Sequence, residues 1–386
     1  MKSLRGVLGN MQALRNMFRV DPLLLLSVLL LLGVGAVVIY SGSGPLAESK
    51  HLPASYFMIS HLKKIVLGLI CMGIGLRVDH QIWVKFARPF FYVSILLLVG
   101  VLVLGFAAHG ATRWLSIGGF DFQPSEIMKI SIIFLLAAKL AEAGEDIQNF
   151  KIGFVRPLIL VGLVFLLIIL QPNYSMATSI FFVCVVMMFA AGTQVKHLAL
   201  LGLAAIPAVV VLAITSSYRL KRVMAFMDPT GHTGSSYQQL QSLISLGNGG
   251  LFGTGLGQGT QKLGYLPMPF TDTIYAILGE EMGFLGTTLV LGLFLIVMWR
   301  GYMIARHSTS RFGRNVAVAL TTALGLNVFM HVGVCTRILP ATGQPLPLVS
   351  FGGSSLLMNL FAMGVLLNLS NPDTGKGIKE TTGGLV

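Results

Sequence analysis

The chain has 386 residues, of which 54% are hydrophobic and only 11% carry a charge. Soluble globular proteins carry about 25% charged residues, so this composition excludes a soluble domain and indicates an integral membrane protein. The net charge of +13 is expected from cationic loops beside anionic lipid, so no nucleic-acid partner is predicted.

The apolar runs are too long and alternate too little for the strands of an outer-membrane barrel, so they predict helical spans. The ten runs lie at 22–41, 65–76 with flanking residues, 89–107, 124–140, 156–171, 176–193, 197–215, 273–299, 315–335 and 350–370. The predicted fold class is therefore all-α: a polytopic membrane helix bundle of ten transmembrane helices. Its parts are predicted to be a basic tail at 1–20, a membrane domain at 21–370 with one long extracytoplasmic loop at 216–272, and a tail at 371–386.

The distribution of Lys and Arg predicts the orientation. An even number of spans puts both termini on one side, and short cytoplasmic loops are enriched in these cations. With the termini inside, 17 of the 27 cations lie in the cytoplasm; ten lie outside, four of them in the long loop that the rule discounts. Both termini are therefore predicted to be cytoplasmic. Four segments then lie outside: 108–125, the turn at Pro172, the long loop and 336–349.

The first outer segment contains Arg113 and leads through Gln123-Pro124-Ser125-Glu126 into a helix. Pro124 suits a first helical turn, and Glu126 and Lys129 lie three residues apart on one helix face. The two charges predict either a local ion pair or, for Lys129 together with Arg113, an anion site near the membrane surface. The residues by themselves do not separate these alternatives.

The long loop opens with a basic amphipathic stretch at 218–227, which is predicted to lie in the plane of the membrane interface. A glycine-rich stretch at 249–259 follows. Glycines here imply positive φ angles or close approach of two backbones. No strand and helix flank the stretch in the order of a nucleotide-binding loop, so a structured re-entrant loop is predicted.

Three of the fourteen acidic residues lie within ten positions, at Asp272, Glu280 and Glu281. Asp272 comes at the start of an apolar helix, where an acid can act as a cap or as a functional group. An acid inside the hydrocarbon region is a functional hypothesis by default, although the two glutamates can also be structural. The last outer segment, 339–355, predicts either close helix packing or a groove wall for a lipid tail.

This combination resembles the shape, elongation, division and sporulation (SEDS) family, whose members FtsW and RodA polymerise glycan from lipid II. The resemblance covers 21–369. The motifs that carry it are Arg113-Trp114 before Gln123-Pro124-Ser125-Glu126, the glycine-rich loop into Thr271-Asp272, Gly279-Glu280-Glu281, and the run from Pro345 to Ser354. Gly255-Leu256-Gly257 with Gln261-Lys262-Leu263 is more similar to FtsW than to RodA. The departures are Asn173 in the usual Gln-Pro-Asp turn, Phe270 and Thr273 beside Thr271-Asp272, and Arg337 where a small residue is common.

The resemblance implies a peptidoglycan glycosyltransferase that polymerises lipid II into glycan strands during cell division, in the bacterial inner membrane. The catalytic aspartate of the family maps onto Asp272, which would act as the general base of an inverting transfer. Candidate substrate-binding residues are Arg113, Lys129, Glu126, Lys262, Glu280, Glu281 and Ser350. A divalent cation, Mg or Mn, is a candidate cofactor because a diphosphate leaving group needs positive charge.

The implied partners are undecaprenyl-diphosphate-linked lipid II, a class B penicillin-binding protein that supplies the transpeptidase, other divisome proteins and membrane lipid. Three other functions stay open: a transporter that flips lipid II, a scaffold subunit, and an elongation polymerase of the RodA type. Many transporters contain internal repeats, and this chain has no evident one, so the transporter hypothesis is weakened but not excluded. A transporter needs no general base at Asp272.

Overall fold

The computed structural model describes residues 20–108, 111–117, 120–214, 217–227, 234–267 and 269–371. The two predicted tails lie outside these ranges, apart from Val20 and Asn371.

The described residues form twelve α-helices. The helices are α1 (Pro22–Ser49), α2 (Tyr56–Arg77), α3 (His80–Leu104), α4 (Pro124–Ala143), α5 (Arg156–Leu170), α6 (Tyr174–Ala191), α7 (Val195–Ile214), α8 (Ser217–Met227), α9 (Gly234–Gly249), α10 (Ile274–His307), α11 (Arg311–Cys335) and α12 (Gly353–Leu369). A helix is present at each of the ten predicted positions. The other two, α8 and α9, lie within the long loop, and α8 matches the basic amphipathic stretch.

Seven helical segments are long and apolar enough to cross a membrane, namely α1, α2, α3, α6, α10, α11 and Phe150–Leu170, which is α5 together with the helical turn before it. The chain is therefore a multi-pass membrane protein, and the number of ten spans stays a prediction. Helix α4 carries four ionic residues, yet it lies within the bundle and most of its side chains are buried. The buried position lets Glu126 and Lys129 pair inside the protein instead of facing lipid.

One face of the bundle holds both ends of the membrane domain. Asp21 caps α1, because its Oδ1 atom accepts hydrogen bonds from the backbone N–H groups of Leu23 and Leu24 at 3.1 and 3.0 Å. The other carboxylate oxygen of Asp21 pairs with Arg300 near the end of α10. The backbone N–H of Asp21 donates to Ser370 Oγ at 3.0 Å, so the first and last described helices meet at this face.

A small antiparallel sheet is the main difference from the predicted architecture. Strands β1 (Phe106–Ala108), β2 (Ala111–Ile117) and β3 (Phe120–Phe122) pair in the order β1-β2-β3, with Phe106 opposite Trp114 and Leu115 opposite Phe122. The predicted helix at 89–107 ends at Leu104 instead. Aromatic and β-branched residues around β2 suit a pleated surface. The all-α prediction is correct for the bundle and misses this outer sheet.

The glycine-rich stretch folds back onto the first half of α10, which agrees with the predicted close approach of two backbones, while its re-entrant position in the membrane stays a prediction. The backbone N–H of Thr254 donates to Glu280 O at 2.9 Å, and the N–H of Phe284 donates to Gly250 O at 2.9 Å. These bonds replace helical ones where Gly283 interrupts α10 with a φ of 65°. A Cβ atom at Gly283 would lie 2.6 Å from Leu251 O, so only glycine permits this approach.

The described parts of the four predicted outer segments lie together at one end of the bundle, opposite the face of Asp21. The side chain of Arg113 donates to Pro172 O, and Ser175 Oγ donates to Thr342 O at 3.2 Å. The backbone N–H of Phe351 donates to Phe270 O at 2.9 Å. We call this end the Asp272 face, and the end that holds Asp21 the opposite face.

Candidate active site

A cavity of about 900 Å³ opens at the Asp272 face and contains the Asp272 side chain in its wall. Helices α8 and α9 form one side, and the start of α10, the end of α11 and the turn at 341–344 form the other. Leu220, Met224 and Val334 make part of the wall apolar. Ligand sites typically enclose about 300–1,000 Å³, so this cavity has room for a sugar-sized headgroup.

Asp272 is half-buried and lies immediately before α10. The N-cap position of that helix belongs to Thr273, so Asp272 lies one residue outside the helix. The positive end of the helix dipole nevertheless points toward the carboxylate and favours its negative charge. The arrangement supports a functional reading of Asp272 over its role as a cap.

Ser350 holds the backbone next to Asp272. Its hydroxyl donates to Thr271 O at 2.8 Å and accepts from the backbone N–H of Leu346 at 2.8 Å. The side chain is only 3% exposed and does not line the cavity. Its predicted contact with substrate stays a prediction, while its observed position suits alignment of the Asp272 backbone.

The turn at 341–344 lies next to Asp272 and is held there by buried side chains of neighbouring helices. Gly343 has a φ of 69°, and a Cβ atom there would lie 3.8 Å from Asp272 Oδ2. The buried His331 ring contacts Gln344 O through Nδ1 at 2.9 Å. Gln239 Nε2 donates to Leu339 O at 2.7 Å, just before the turn. The cavity wall beside the acid is therefore fixed by buried polar groups.

Among the described residues, Arg222 is the one cationic side chain that lines the cavity. It lies on α8, and its Nη1 atom donates to Ala341 O at 2.9 Å. Arg337 joins the same two segments from the other side by donating to Phe226 O at 3.4 Å. The sequence did not mark Arg222 as a site residue. The available signal was the basic amphipathic stretch, but its proximity to Asp272 depends on how the long loop folds.

Arg113 supports the Asp272 face without lining the cavity. It projects from β2, and its Nε atom donates to Gln171 O at 3.4 Å while a second nitrogen donates to Pro172 O. The turn that it holds leads into Ser175, which contacts the cavity wall at Thr342. Arg113 is thus connected to the cavity through the turn, and its predicted contact with a diphosphate remains untested.

Lys129 and Glu126 form the local ion pair that was one of the two alternatives. Their Nζ and Oε2 atoms are 2.6 Å apart, and the side chains are 3% and 2% exposed. Each charge is therefore compensated inside the bundle. Neither residue lines the cavity of Asp272, and their predicted roles in substrate binding stay predictions.

Glu280 and Glu281 point into the interior and anchor the glycine-rich stretch. Glu280 accepts hydrogen bonds from the backbone N–H of Thr260 at 2.8 Å and from Ser245 Oγ at 3.2 Å. Glu281 forms a 2.6 Å ion pair with Lys262, and Ser41 donates to the same carboxylate oxygen at 2.6 Å. None of these groups lines the cavity of Asp272, so the structure does not bring them together with it.

The described residues contain no cluster of three or more His, Cys, Asp or Glu side chains that could ligate a metal unaided. Asp272 still fits a weaker type of site, since Mg²⁺ is often held by one or two carboxylates together with substrate phosphates. The cavity therefore offers one carboxylate for proton transfer, one guanidinium, and an apolar wall. The fold and this cavity define a polytopic helical membrane protein with a single acid in an end cavity.

Comparison with known proteins places the chain in a family. The model of the FtsW/RodA/SpoVE cell cycle proteins matches residues 22–374, and the chain belongs to this family. A probable peptidoglycan glycosyltransferase FtsW from Geobacter sp. (strain M18) is 38% identical over 91% of this chain and 96% of its own length. Stage V sporulation protein E from Bacillus subtilis (strain 168) is 40% identical over the same shares.

Solved structures agree with this assignment. One similar structure is a chain from a peptidoglycan synthase complex, reported for its coordination of polymerization and crosslinking. The superposition has a TM-score of 0.76 at 26% identity and covers 92% of the present chain and 99% of the other chain. The rod shape determining protein RodA of Thermus thermophilus has a TM-score of 0.69 at 26% identity and covers 91% of this chain and 96% of itself. The SEDS resemblance and its leaning toward FtsW are confirmed.

Proposed function

We propose that this chain is a peptidoglycan glycosyltransferase that polymerises lipid II into glycan strands during cell division, with Asp272 as general base. The observation that carries the proposal is the position of Asp272, half-buried in the wall of a large cavity at one end of the helix bundle. The name of the FtsW relatives supports the reaction class.

Asp272 would take the proton from the 4-hydroxyl of the acceptor sugar as that oxygen attacks the anomeric carbon of the donor. The bond between that carbon and the diphosphate breaks on the opposite face, so the configuration inverts and the lipid diphosphate leaves with the electron pair. The proton resides on the Asp272 carboxyl group until it passes to water.

Arg222 is the protein cation best placed for the departing diphosphate, because it shares the cavity wall with Asp272. A guanidinium matches phosphate oxygens in two-point geometry. A divalent ion, Mg or Mn, held by Asp272 and the diphosphate would supply further charge neutralisation. Arg113, Lys129 and Lys262 would act at a distance through the segments that they hold.

Replacement of Asp272 separates this proposal from a transporter and from a scaffold. Asp272→Ala is expected to abolish polymerisation of supplied lipid II in detergent, with a class B penicillin-binding protein present, while elution volume and apparent melting temperature stay unchanged. Unchanged polymerisation would exclude the mechanism. Lost polymerisation with unaltered growth of cells that depend on the variant would favour the scaffold, because a scaffold does not need the acid.

We also propose that the Asp272 face is extracytoplasmic and that both termini are cytoplasmic. In this orientation 17 Lys and Arg residues lie on the cytoplasmic side and six on the outer side, when the four in the long loop are left out of the count. Lys50 directly follows α1 near the Asp272 face, and Arg306 lies in the last turn of α10 at the opposite face; both are exposed. In intact cells, a membrane-impermeant maleimide is expected to label Lys50→Cys and to label Arg306→Cys only after permeabilisation. The reverse pattern contradicts the orientation.

A further inference from the structure

A second, smaller cavity lies at the opposite face, far from Asp272 along the bundle axis. Its volume is about 290 Å³, and it lies where α4 ends, α6 ends and α11 begins. Arg311, Arg314 and Asn315 project into it from the first turns of α11. Two guanidinium groups thus share a small cavity at the positive end of a helix.

These polar groups have no partner among the described residues that accounts for their position. No described carboxylate lies within ion-pair distance of either arginine. Arg314 Nε is buried without a hydrogen-bond acceptor. Asn315 is only 1% exposed, and its Oδ1 atom also lacks a partner. A buried polar group without a partner destabilises the folded protein, so such a cluster is expected to meet a ligand.

The backbone around the cavity is shaped to leave the guanidinium groups accessible. Gly144 has a φ of 56°, and a Cβ atom there would lie 3.3 Å from Arg311 Nη1. Gln148 is held to the far wall, because its Nε2 atom donates to Gly192 O at 2.6 Å. The nearby Glu145 and Asp146 are exposed and do not line the cavity. The cavity itself therefore contains positive charge alone.

We propose that this cavity binds a phosphate group through Arg311, Arg314 and Asn315. Arginine forks match phosphate oxygens, the Asn315 amide can turn its Nδ2–H toward them, and the helix dipole adds attraction. The volume suits a phosphate-bearing headgroup and is small for the disaccharide of lipid II. The phosphate comes either from an anionic phospholipid of the adjacent leaflet or from solution.

Two titrations of the purified full chain in detergent distinguish these sources. Apparent melting temperature is followed against inorganic phosphate, with sodium chloride at matched ionic strength, and against phosphatidylglycerol, with phosphatidylcholine as the zwitterionic control. Stabilisation by phosphatidylglycerol alone assigns the site to lipid, and stabilisation by both assigns it to phosphate in general. Stabilisation by neither overturns the proposal.

Arg311→Gln and the double variant Arg311→Gln/Arg314→Gln are expected to weaken the binding by at least about tenfold, because each loses a charge-assisted contact. Arg306→Gln is the matched control, since Arg306 is exposed at the same face outside the cavity. Arg311 is itself exposed, so its single variant is expected to fold normally. An unchanged affinity in that variant, or an equal loss in Arg306→Gln, contradicts the site.

Discussion

Asp272 and the pair Glu280 and Glu281 lie within ten residues around the start of α10, yet their surroundings are opposite. Asp272 lies in the wall of an open cavity, with a guanidinium from another segment in the same wall. Both glutamates are 1% exposed and are occupied by backbone N–H groups, hydroxyls and Lys262. The contrast shows that the role of an acid at or in a membrane helix depends on the segments that pack against it. The glycine-rich stretch packs over the two glutamates and buries them, whereas Asp272 lines the cavity.

The largest expected effect on stability comes from Glu281→Ala. Lys262 would then remain buried without its carboxylate, and breaking one side of a buried ion pair costs about 3–5 kcal/mol. The apparent melting temperature in detergent is expected to fall markedly, in contrast to Asp272→Ala. The double variant Glu281→Leu/Lys262→Met removes both charges and is expected to recover much of the loss. If Glu281→Ala melts like the unaltered chain, the structural role of the pair is wrong.

A smaller loss of stability is expected from Gly283→Ala. This variant tests the close packing of the glycine-rich stretch on α10, which buries the two glutamates. A non-glycine residue at a φ of 65° costs about 1–3 kcal/mol, and the new Cβ would also meet Leu251 O. Gly292→Ala on the same helix is the control, because a Cβ there has open space. It is expected to leave the melting temperature unchanged or raised, as alanine favours helix by about 1 kcal/mol. Equal behaviour of the two variants contradicts the close approach.

Ser350→Ala tests whether the hydrogen bonds of Ser350 to the backbone beside Asp272 keep that residue in position. The buried N–H of Leu346 and the Thr271 carbonyl both lose a partner, which costs about 1–3 kcal/mol for each group left unsatisfied. Polymerisation is expected to fall about 10–100-fold, because small displacements of a catalytic group are costly. Ser350→Thr keeps the hydroxyl and is expected to restore activity. Ser49→Ala, at an exposed serine, is the control.

The smallest expected effect is that of Arg222→Gln. Loss of one charge-assisted contact to a diphosphate is expected to lower kcat/KM for polymerisation about tenfold without changing the melting temperature. Arg306→Gln, at the opposite face, serves as control. Full activity in Arg222→Gln would remove Arg222 from the site and leave the divalent ion as the source of positive charge.

Much of the bundle could be predicted because long apolar runs have few alternatives to a helix in a membrane. The ten helix positions and the grouping of the four outer segments at one end followed from these runs and from counting spans. The strands at 106–122 were missed because β1 and β3 have only three residues each and the seven residues of β2 do not alternate clearly between polar and apolar side chains. Of the two helices inside the long loop, α8 corresponds to the predicted basic amphipathic stretch, whereas α9 was missed because its sequence is polar, contains glycine and is less clearly amphipathic.

The candidate site was predicted in part. Asp272 was found through the resemblance, and the alternative of a local pair for Glu126 and Lys129 followed from their helical spacing. The pairing of Lys262 with Glu281 and the approach of Arg222 to Asp272 join residues 19 and 50 positions apart. Such contacts depend on how loops fold back on helices, and a single sequence carries little direct information about them.

The sequence by itself determined the membrane class, the helix positions and the family, and the motifs of that family selected Asp272, because each of these depends on composition, short-range periodicity or motifs. Only the tertiary structure decided which charges neutralise one another and which face open space. The physical reason is that an ionic group surrounded by hydrocarbon must either find a partner or line a polar cavity, and the partner is chosen by packing in three dimensions.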